Sequence, residues 1–178
     1  MTSKVIRTED PHIVITEFRE SDLDRLALLL NDVSVYNNTL TIPNPYRRTD
    51  AEKFFEGVRK FESLNGYQKD WVIRKDGDLI GGIGLLYNHG LDAHRSEFGY
   101  WLGEDYRGKG YMTICVKAFI DFVFSSTRLV RIEGHAFKDN IGSCRVLEKS
   151  GFEKEGYLRK IVEKNGEYLD AHLYALIR

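Results

Sequence analysis

Tyr106-Arg107-Gly108-Lys109-Gly110-Tyr111-Met112-Thr113 is the stretch on which the reading of this chain turns. It follows an aromatic strand pattern, residues 96–102 (Ser-Glu-Phe-Gly-Tyr-Trp-Leu). It precedes a helical pattern in which Met112, Cys115, Val116, Phe119, Ile120 and Val123 recur on one face. Its glycines let the backbone turn tightly and bring bare N–H groups close to a ligand. Those groups, with the positive end of the following helix dipole, favour an anion such as a pyrophosphate. Arg107 and Lys109 add charge for the same oxygens. Read alone, the same residues also make an ordinary strand-to-helix turn with solvated basic side chains. Gly103 to Lys109 fits the glycine and lysine positions of a nucleotide-triphosphate loop. Gly110, however, stands where that loop needs the Ser or Thr that holds Mg²⁺, so a triphosphatase is not indicated.

Upstream, Ile13 and Ile15 alternate with polar residues as a first strand. Ser21 and Asp24 read as a capping signal for a helix with Leu23, Leu26, Leu29 and Leu30 on one face. Pro43-Asn44-Pro45 marks a loop. Thr49 and Glu52 read as a capping box for a second helix carrying Phe54, Phe55, Val58 and Phe61. Trp71–Ile73 and Leu79–Tyr87 flank Asp76-Gly77 as a hairpin. Downstream come a strand from Leu129, a helix from Asn140 to Lys149, and two strands meeting at Asn165-Gly166, a strong hairpin dipeptide. The order β-α-α-β-β-β-α-β-α-β-β predicts a mixed α/β (α+β) fold, antiparallel early and late, with one helical crossover between the fourth and fifth strands.

The 178 residues carry 26 Lys plus Arg against 27 Asp plus Glu. A net charge of −1 argues against a protein built to wrap a nucleic-acid backbone, and 42% hydrophobic residues argue against disorder. No apolar run approaches the ~20 residues of a membrane helix, and residues 1–10 lack the apolar segment of a secretory signal. Cys115 and Cys144 form no redox or metal spacing, and the five histidines fall at no metal-ligand interval. One domain over residues 1–178, cytoplasmic and without metal, is the expectation.

Glu97–Leu102 followed by Tyr106–Met112 resembles the Gln/Arg-x-x-Gly-x-Gly/Ala core of the GNAT superfamily of acetyltransferases. Asn140-Ile-Gly-Ser143 … Gly151-Phe152 resembles the Asn-x-x-Ser … Gly-Phe segment of its ribosomal-protein (RimJ/RimL) branch. The resemblance implies a mostly antiparallel central sheet of about seven strands flanked by helices, and acetyl-CoA as co-substrate of an N-acetyltransferase. It assigns the cofactor to Arg107, Gly108, Lys109, Gly110, Tyr111, Met112 and Thr113 at the pyrophosphate. Backbone N–H groups near Trp101 and Leu102, and the Asn140 amide, would hold pantetheine and the thioester oxygen. Met112 replaces the motif's last small residue, so its side chain must turn away from the cofactor.

Leu147 stands where many family members carry a tyrosine acid, and the resemblance puts Ser143 in that role. The reaction it implies is direct attack of an amine on a thioester. An α-amine, with a pKa of about 8, is partly neutral near pH 7, whereas lysine, at about 10.4, is mostly charged. The leaving thiol resembles cysteine at about 8.5, so a hydrogen-bond donor suffices. Glu97 would drain the amine's proton through water; as a bare strand carboxylate it equally reads as paired with Arg95 or Arg131. Asn140 and Ser143 by themselves read as helix-cap and surface residues, and His135 as a polar residue with one satisfied hydrogen bond. The partners implied are acetyl-CoA and an amine acceptor: a protein N-terminus, a polyamine or an antibiotic amine. Neither nucleic acid nor membrane is called for, and a homodimer is allowed. Tyr36, Asn37 and Tyr46, with loop 88–95, would wall the acceptor, and a segment 36–46 without Asp or Glu favours a peptide N-terminus over a polyamine. A non-catalytic acyl-CoA-binding module on the same scaffold is the competing class.

Overall fold

The structure is a computed structural model describing residues 5–86 and 94–178; most of the 88–95 loop expected beside the acceptor therefore lies outside the described residues. Strands β1 (Val5–Arg7), β2 (Ile13–Thr16), β3 (Asp70–Lys75), β4 (Asp78–Leu85), β5 (Arg95–Leu102), β6 (Arg131–Phe137), β7 (Glu153–Lys164) and β8 (Glu167–Ile177) form one sheet. Their order is β1-β2-β3-β4-β5-β6-β8-β7. Helices α1 (Leu23–Leu30), α2 (Val33–Asn38), α3 (Arg48–Asn65), α4 (Tyr111–Ser126) and α5 (Ile141–Lys149) flank it. All neighbours run antiparallel except β5 and β6, because α4 crosses over between them. Among the described residues the sheet has eight strands rather than about seven. The additional one, β1, is three residues long with only Ile6 buried, too short for an alternation to register. No helix among the described residues is long and apolar enough to cross a membrane.

Both predicted hairpins form. Asp76 and Gly77 (φ 51° and 94°) and Asn165 and Gly166 (φ 54° and 79°) have the paired positive φ of tight hairpin turns. The capping signals are displaced. Asp22 Oδ2 accepts from Arg19 N at 2.8 Å ahead of α1, and Asp50 Oδ2 accepts from Arg47 N at 2.9 Å ahead of α3. The carboxylates that cap are thus the neighbours of Ser21 and Thr49.

Apolar residues divide between the sheet's two faces. Phe98 and Leu102 of β5 join Met112, Cys115, Val116, Phe119 and Leu147 in one core under α4 and α5. Leu23, Leu26, Leu30, Val35, Tyr46 and Ala51 form a second, with Trp101 packed against it under α1–α3. Arg74 links the second layer to the sheet. It is buried with Asp22, making bidentate bonds of 2.7 and 2.8 Å and a third to Thr16 Oγ1 at 2.8 Å.

Candidate active site

β5 is fully paired along one edge and barely along the other. Against β4 the ladder runs from Leu102–Gly81 to Phe98–Leu85, extended by Gly103 N donating to Ile80 O (3.0 Å) and Leu86 N donating to Glu97 O (2.8 Å). Against β6 it stops after Arg95, Ser96 and Glu97. β6 nonetheless runs on to Phe137, held on its far side by seven pairs to β8. The strands therefore part at Glu97.

Backbone groups alternate in direction along a strand. Residues 97 and 103 bond to β4, so the N–H of Trp101 also points at β4. Those of Phe98, Tyr100 and Leu102 point into the gap. The Leu102 N–H thus faces the gap, whereas Trp101 contributes an indole lying over Gly82 and against the α1–α3 core.

The loop after β5 enters the gap's open end. Gly108 and Gly110 have φ of +74° and +82° with no heavy atom within 4 Å of a would-be Cβ; this is a left-handed backbone that glycine adopts without penalty. Gly110 is the N-cap of α4, and no side chain caps it, which leaves first-turn N–H groups of a 16-residue helix as donors to an anion. Lys109 is exposed at this turn, and Tyr111 and Thr113 are half-buried. Met112 is buried in the core, turned away from the loop's ligand side. Arg107 behaves differently from expectation. Its Nε donates to Leu102 O at 2.9 Å, and its Nη2 pairs with Asp32, whose Oδ1 caps α2 by accepting from Ser34 N at 2.7 Å. The Arg107 side chain fastens the loop to α2, so its basic charge is already engaged. Arg25 adds a parallel tie from α1, through Leu79 O at 3.1 Å and the Tyr106 hydroxyl at 2.8 Å.

Two polar pairs flank the gap on opposite faces, because Glu97 and Tyr100 differ by an odd number of residues. On the α5 face, Ser143 Oγ lies 2.9 Å from the Tyr100 hydroxyl. Asn140 Oδ1 caps the helix by accepting from Ser143 N at 3.0 Å, which fixes the serine. Burial drives the Tyr100 phenol well above its usual range, against a smaller downward pull from Ser143, so it stays protonated and able to donate. On the α1–α3 face, Glu97 Oε1 lies 2.9 Å from His135 Nδ1. The arginines expected beside Glu97 pair elsewhere: Arg95 with Glu133 (3.1 Å), Arg131 with Glu133 (2.6 Å) and Glu155 (2.5 Å). Donation of a hydrogen bond to Glu97 raises the His135 pKa above its ordinary value, against desolvation, with smaller help from the charges of Glu97 and Glu133.

Other expected residues take different places. Tyr46 is buried in the α1–α3 core, its phenol pushed to about 12 by burial and the neighbouring charge of Asp50, so it is no acceptor wall. Tyr36 shares hydrogen bonds with the Asn165 side chain (2.7 and 3.0 Å) under the Lys164 ammonium, 3.8 Å from its ring centre. Burial pushes the Cys115 thiol to about 12, which removes it as a nucleophile. No cluster of three metal-ligating side chains occurs among the described residues.

Tyr100 and the His135–Glu97 pair are invisible in the sequence, since their partners lie 43 and 38 residues away. The only signal available was the polar residue on each face of an otherwise apolar strand.

Comparisons with known proteins identify the family and the fold. The Acetyltransferase (GNAT) domain family matches residues 12–153. The probable N-acetyltransferase YjcK of Bacillus subtilis is 39% identical over 138 residues, covering 73% of this chain and 76% of its own. The L-amino acid N-acetyltransferase AaaT of Escherichia coli is 27% identical, covering 93% and 98%. Among solved structures, RimL, the ribosomal L7/L12 alpha-N-protein acetyltransferase in complex with coenzyme A, superposes with a TM-score of 0.86 over 98% of both chains, at 21% identity. With the family matched over residues 12–153 and a 39% identical relative covering 73% of the chain, the protein belongs to the GNAT family of acetyltransferases.

Proposed function

We propose that this chain transfers the acetyl group of acetyl-CoA to an α-amino group by direct attack of the neutral amine on the thioester. The observation that carries the reading is the parting of β5 from β6 at Glu97, which leaves strand N–H groups free to bind an amide-bearing, extended ligand as a β-strand would. The residues fit such a ligand along its length. First-turn amides at Gly110–Thr113, the open turn at Gly108 and the Lys109 ammonium receive the pyrophosphate. N–H groups of Phe98, Tyr100 and Leu102 line pantetheine and the thioester carbonyl, whose developing charge they stabilise. The Asn140 side chain, capping through Oδ1, has its NH₂ to offer pantetheine. Ser143, backed by the Tyr100 hydroxyl, donates to the departing sulfur. The Glu97 face takes the amine and its proton.

An α-amine suits this site better than a polyamine. Segment 36–46 carries no Asp or Glu, and nearby Asp32 is already held by Arg107, so a second ammonium would find little counter-charge. AaaT and RimL, acting on an amino acid and on a protein's α-amine by their names, share that acceptor chemistry.

The test is thiol release from acetyl-CoA with Ser- and Ala-starting peptides, free amino acids and spermidine at matched concentrations. A kcat/KM highest for α-amines is expected. Release highest with spermidine overturns the acceptor assignment, and release with no amine overturns the enzyme in favour of a binding module. Acetyl-CoA should also raise Tm, and Gly108→Asp should abolish that shift while Gly108→Asn, with the same backbone demand, retains most of it. An undiminished shift in Gly108→Asp removes the pyrophosphate assignment.

A further inference from the structure

We propose that the imidazole of His135 is the proton acceptor for the attacking amine, with Glu97 as the positioning residue that holds it. The inference rests on the acetyltransferase reading above and deepens it. Its basis is placement. β5 and β6 are in register at Glu97–Glu133 and separate directly afterwards. His135, two residues beyond Glu133, is therefore on the same face of β6 and is the first side chain of that face past the parting point. Glu97 closes the opposite margin, and the two meet at 2.9 Å. This face is opposite to that of Ser143 and Tyr100. An amine arriving beside His135 thus reaches the carbonyl carbon from one face of the sheet while the sulfur is met from the other, so the proton acceptor and the thiolate's donor do not compete for one space.

The chemistry of the pair fits the task. Glu97 accepts from Nδ1, which fixes the tautomer and leaves the Nε2 lone pair as the base. Among the described residues, the charged groups facing His135 are Glu97 on β5 and Glu133 on its own strand. Glu133 is already bound by Arg95 and Arg131, so Glu97 is the dominant neighbour; on β8 the opposing residue is the apolar Leu173. A histidine raised in this way moves toward an α-amine's own pKa of about 8, the direction that makes general-base transfer more efficient. The balance is simple. The amine nitrogen forms the C–N bond, the C–S bond breaks, and one amine proton passes to Nε2. The thiolate takes a proton from the Ser143 side or from water, and the imidazolium, 26% exposed at its side chain, returns its proton to solvent.

The experiment uses the full chain, following kcat at saturating acetyl-CoA and saturating Ser-starting peptide against pH in wild type, His135→Gln and Glu97→Gln. The histidine pKa is read separately by NMR. In wild type the acid limb and the NMR titration should coincide above the ordinary histidine value of about 6.5. Glu97→Gln should move both to lower pH. His135→Gln should lower kcat roughly 10- to 1000-fold, leaving KM for acetyl-CoA and its thermal shift unchanged. An acid limb that survives His135→Gln in place and amplitude overturns the relay alone, as does a His135 titration unmoved by Glu97→Gln. Wild type inert toward every amine overturns the underlying reading and the relay with it.

Discussion

The two edges of β5 show the same strand doing opposite things. Toward β4 it makes an unbroken ladder, and glycines at 81, 82 and 84 let the strands and the Trp101 indole approach; a Cβ at Gly81 would sit 2.4 Å from Trp101 O. Toward β6 the pairing ends after three residues, and the β6 glycine just past that point faces side chains of the core rather than backbone: a Cβ at Gly134 would meet Leu147 Cδ2 at 3.0 Å and Phe98 Cε1 at 3.1 Å. One edge is closed by backbone and spent on stability. The other is left unpaired, and its polar groups, costly if buried without a partner, are what a ligand can satisfy.

The largest effect should come from the open edge. Ser143→Ala is expected to lower kcat roughly 10- to 1000-fold with acetyl-CoA affinity little changed, the range of a positioned proton donor; full activity would mean the sulfur leaves unaided. The closed edge should answer in stability instead. Gly81→Ala forces backbone apart and should cost about 1–3 kcal/mol in denaturant unfolding. Gly134→Ala, meeting only side-chain ends, should cost less than Gly81→Ala, and equal losses would erase the distinction between the edges. Tyr100→Phe straddles both. It should lose about 0.5–1.5 kcal/mol for the missing hydrogen bond together with part of the Ser143 effect on kcat.

The smallest effect is a pH dependence at the margin where the edges meet. Glu97 raises the folded pKa of His135, so the pair stabilises the protein fully below the unfolded value of about 6.5 and loses this as pH rises through the higher folded value. The stability gap between wild type and His135→Gln should therefore be widest in mild acid and close at alkaline pH. A gap that widens with pH would contradict the assigned ion pair.

Much of the closed edge was legible in the sequence and little of the open one. Local chemistry announces the Asp76-Gly77 and Asn165-Gly166 turns, the alternation of β5 and the glycines before α4, because each depends on residues adjacent in the chain. The Met112 side chain could be turned into the core from the loop's steric demand alone. The short α2, six residues beyond the Asp32 cap, has too few turns for a helical period to register. Arg107 reads as a phosphate ligand from its place between glycines; only the fold brings Asp32 beside it, 75 residues earlier. Glu97 had two arginines within plausible reach, and the parallel register gave both to Glu133. Partner choice among distant charges is set by registers that no local pattern encodes.

The clasp between Tyr36 and the Lys164–Asn165 tip joins residues 129 positions apart, and among the described residues β6 makes three strand pairs with β5 against seven with β8. Both facts bear on synthesis. A nascent chain can assemble β1 to β5 with α1–α4 from nearby contacts, but the second wall of the gap waits for the last strand to leave the ribosome. Closing so long a loop adds little to the equilibrium cost, since that cost grows only logarithmically with length, yet it delays folding. The wall that carries His135 is thus expected to form late, and a chain truncated before residue 167 should keep the Gly108–Gly110 turn while lacking the strand that supports His135.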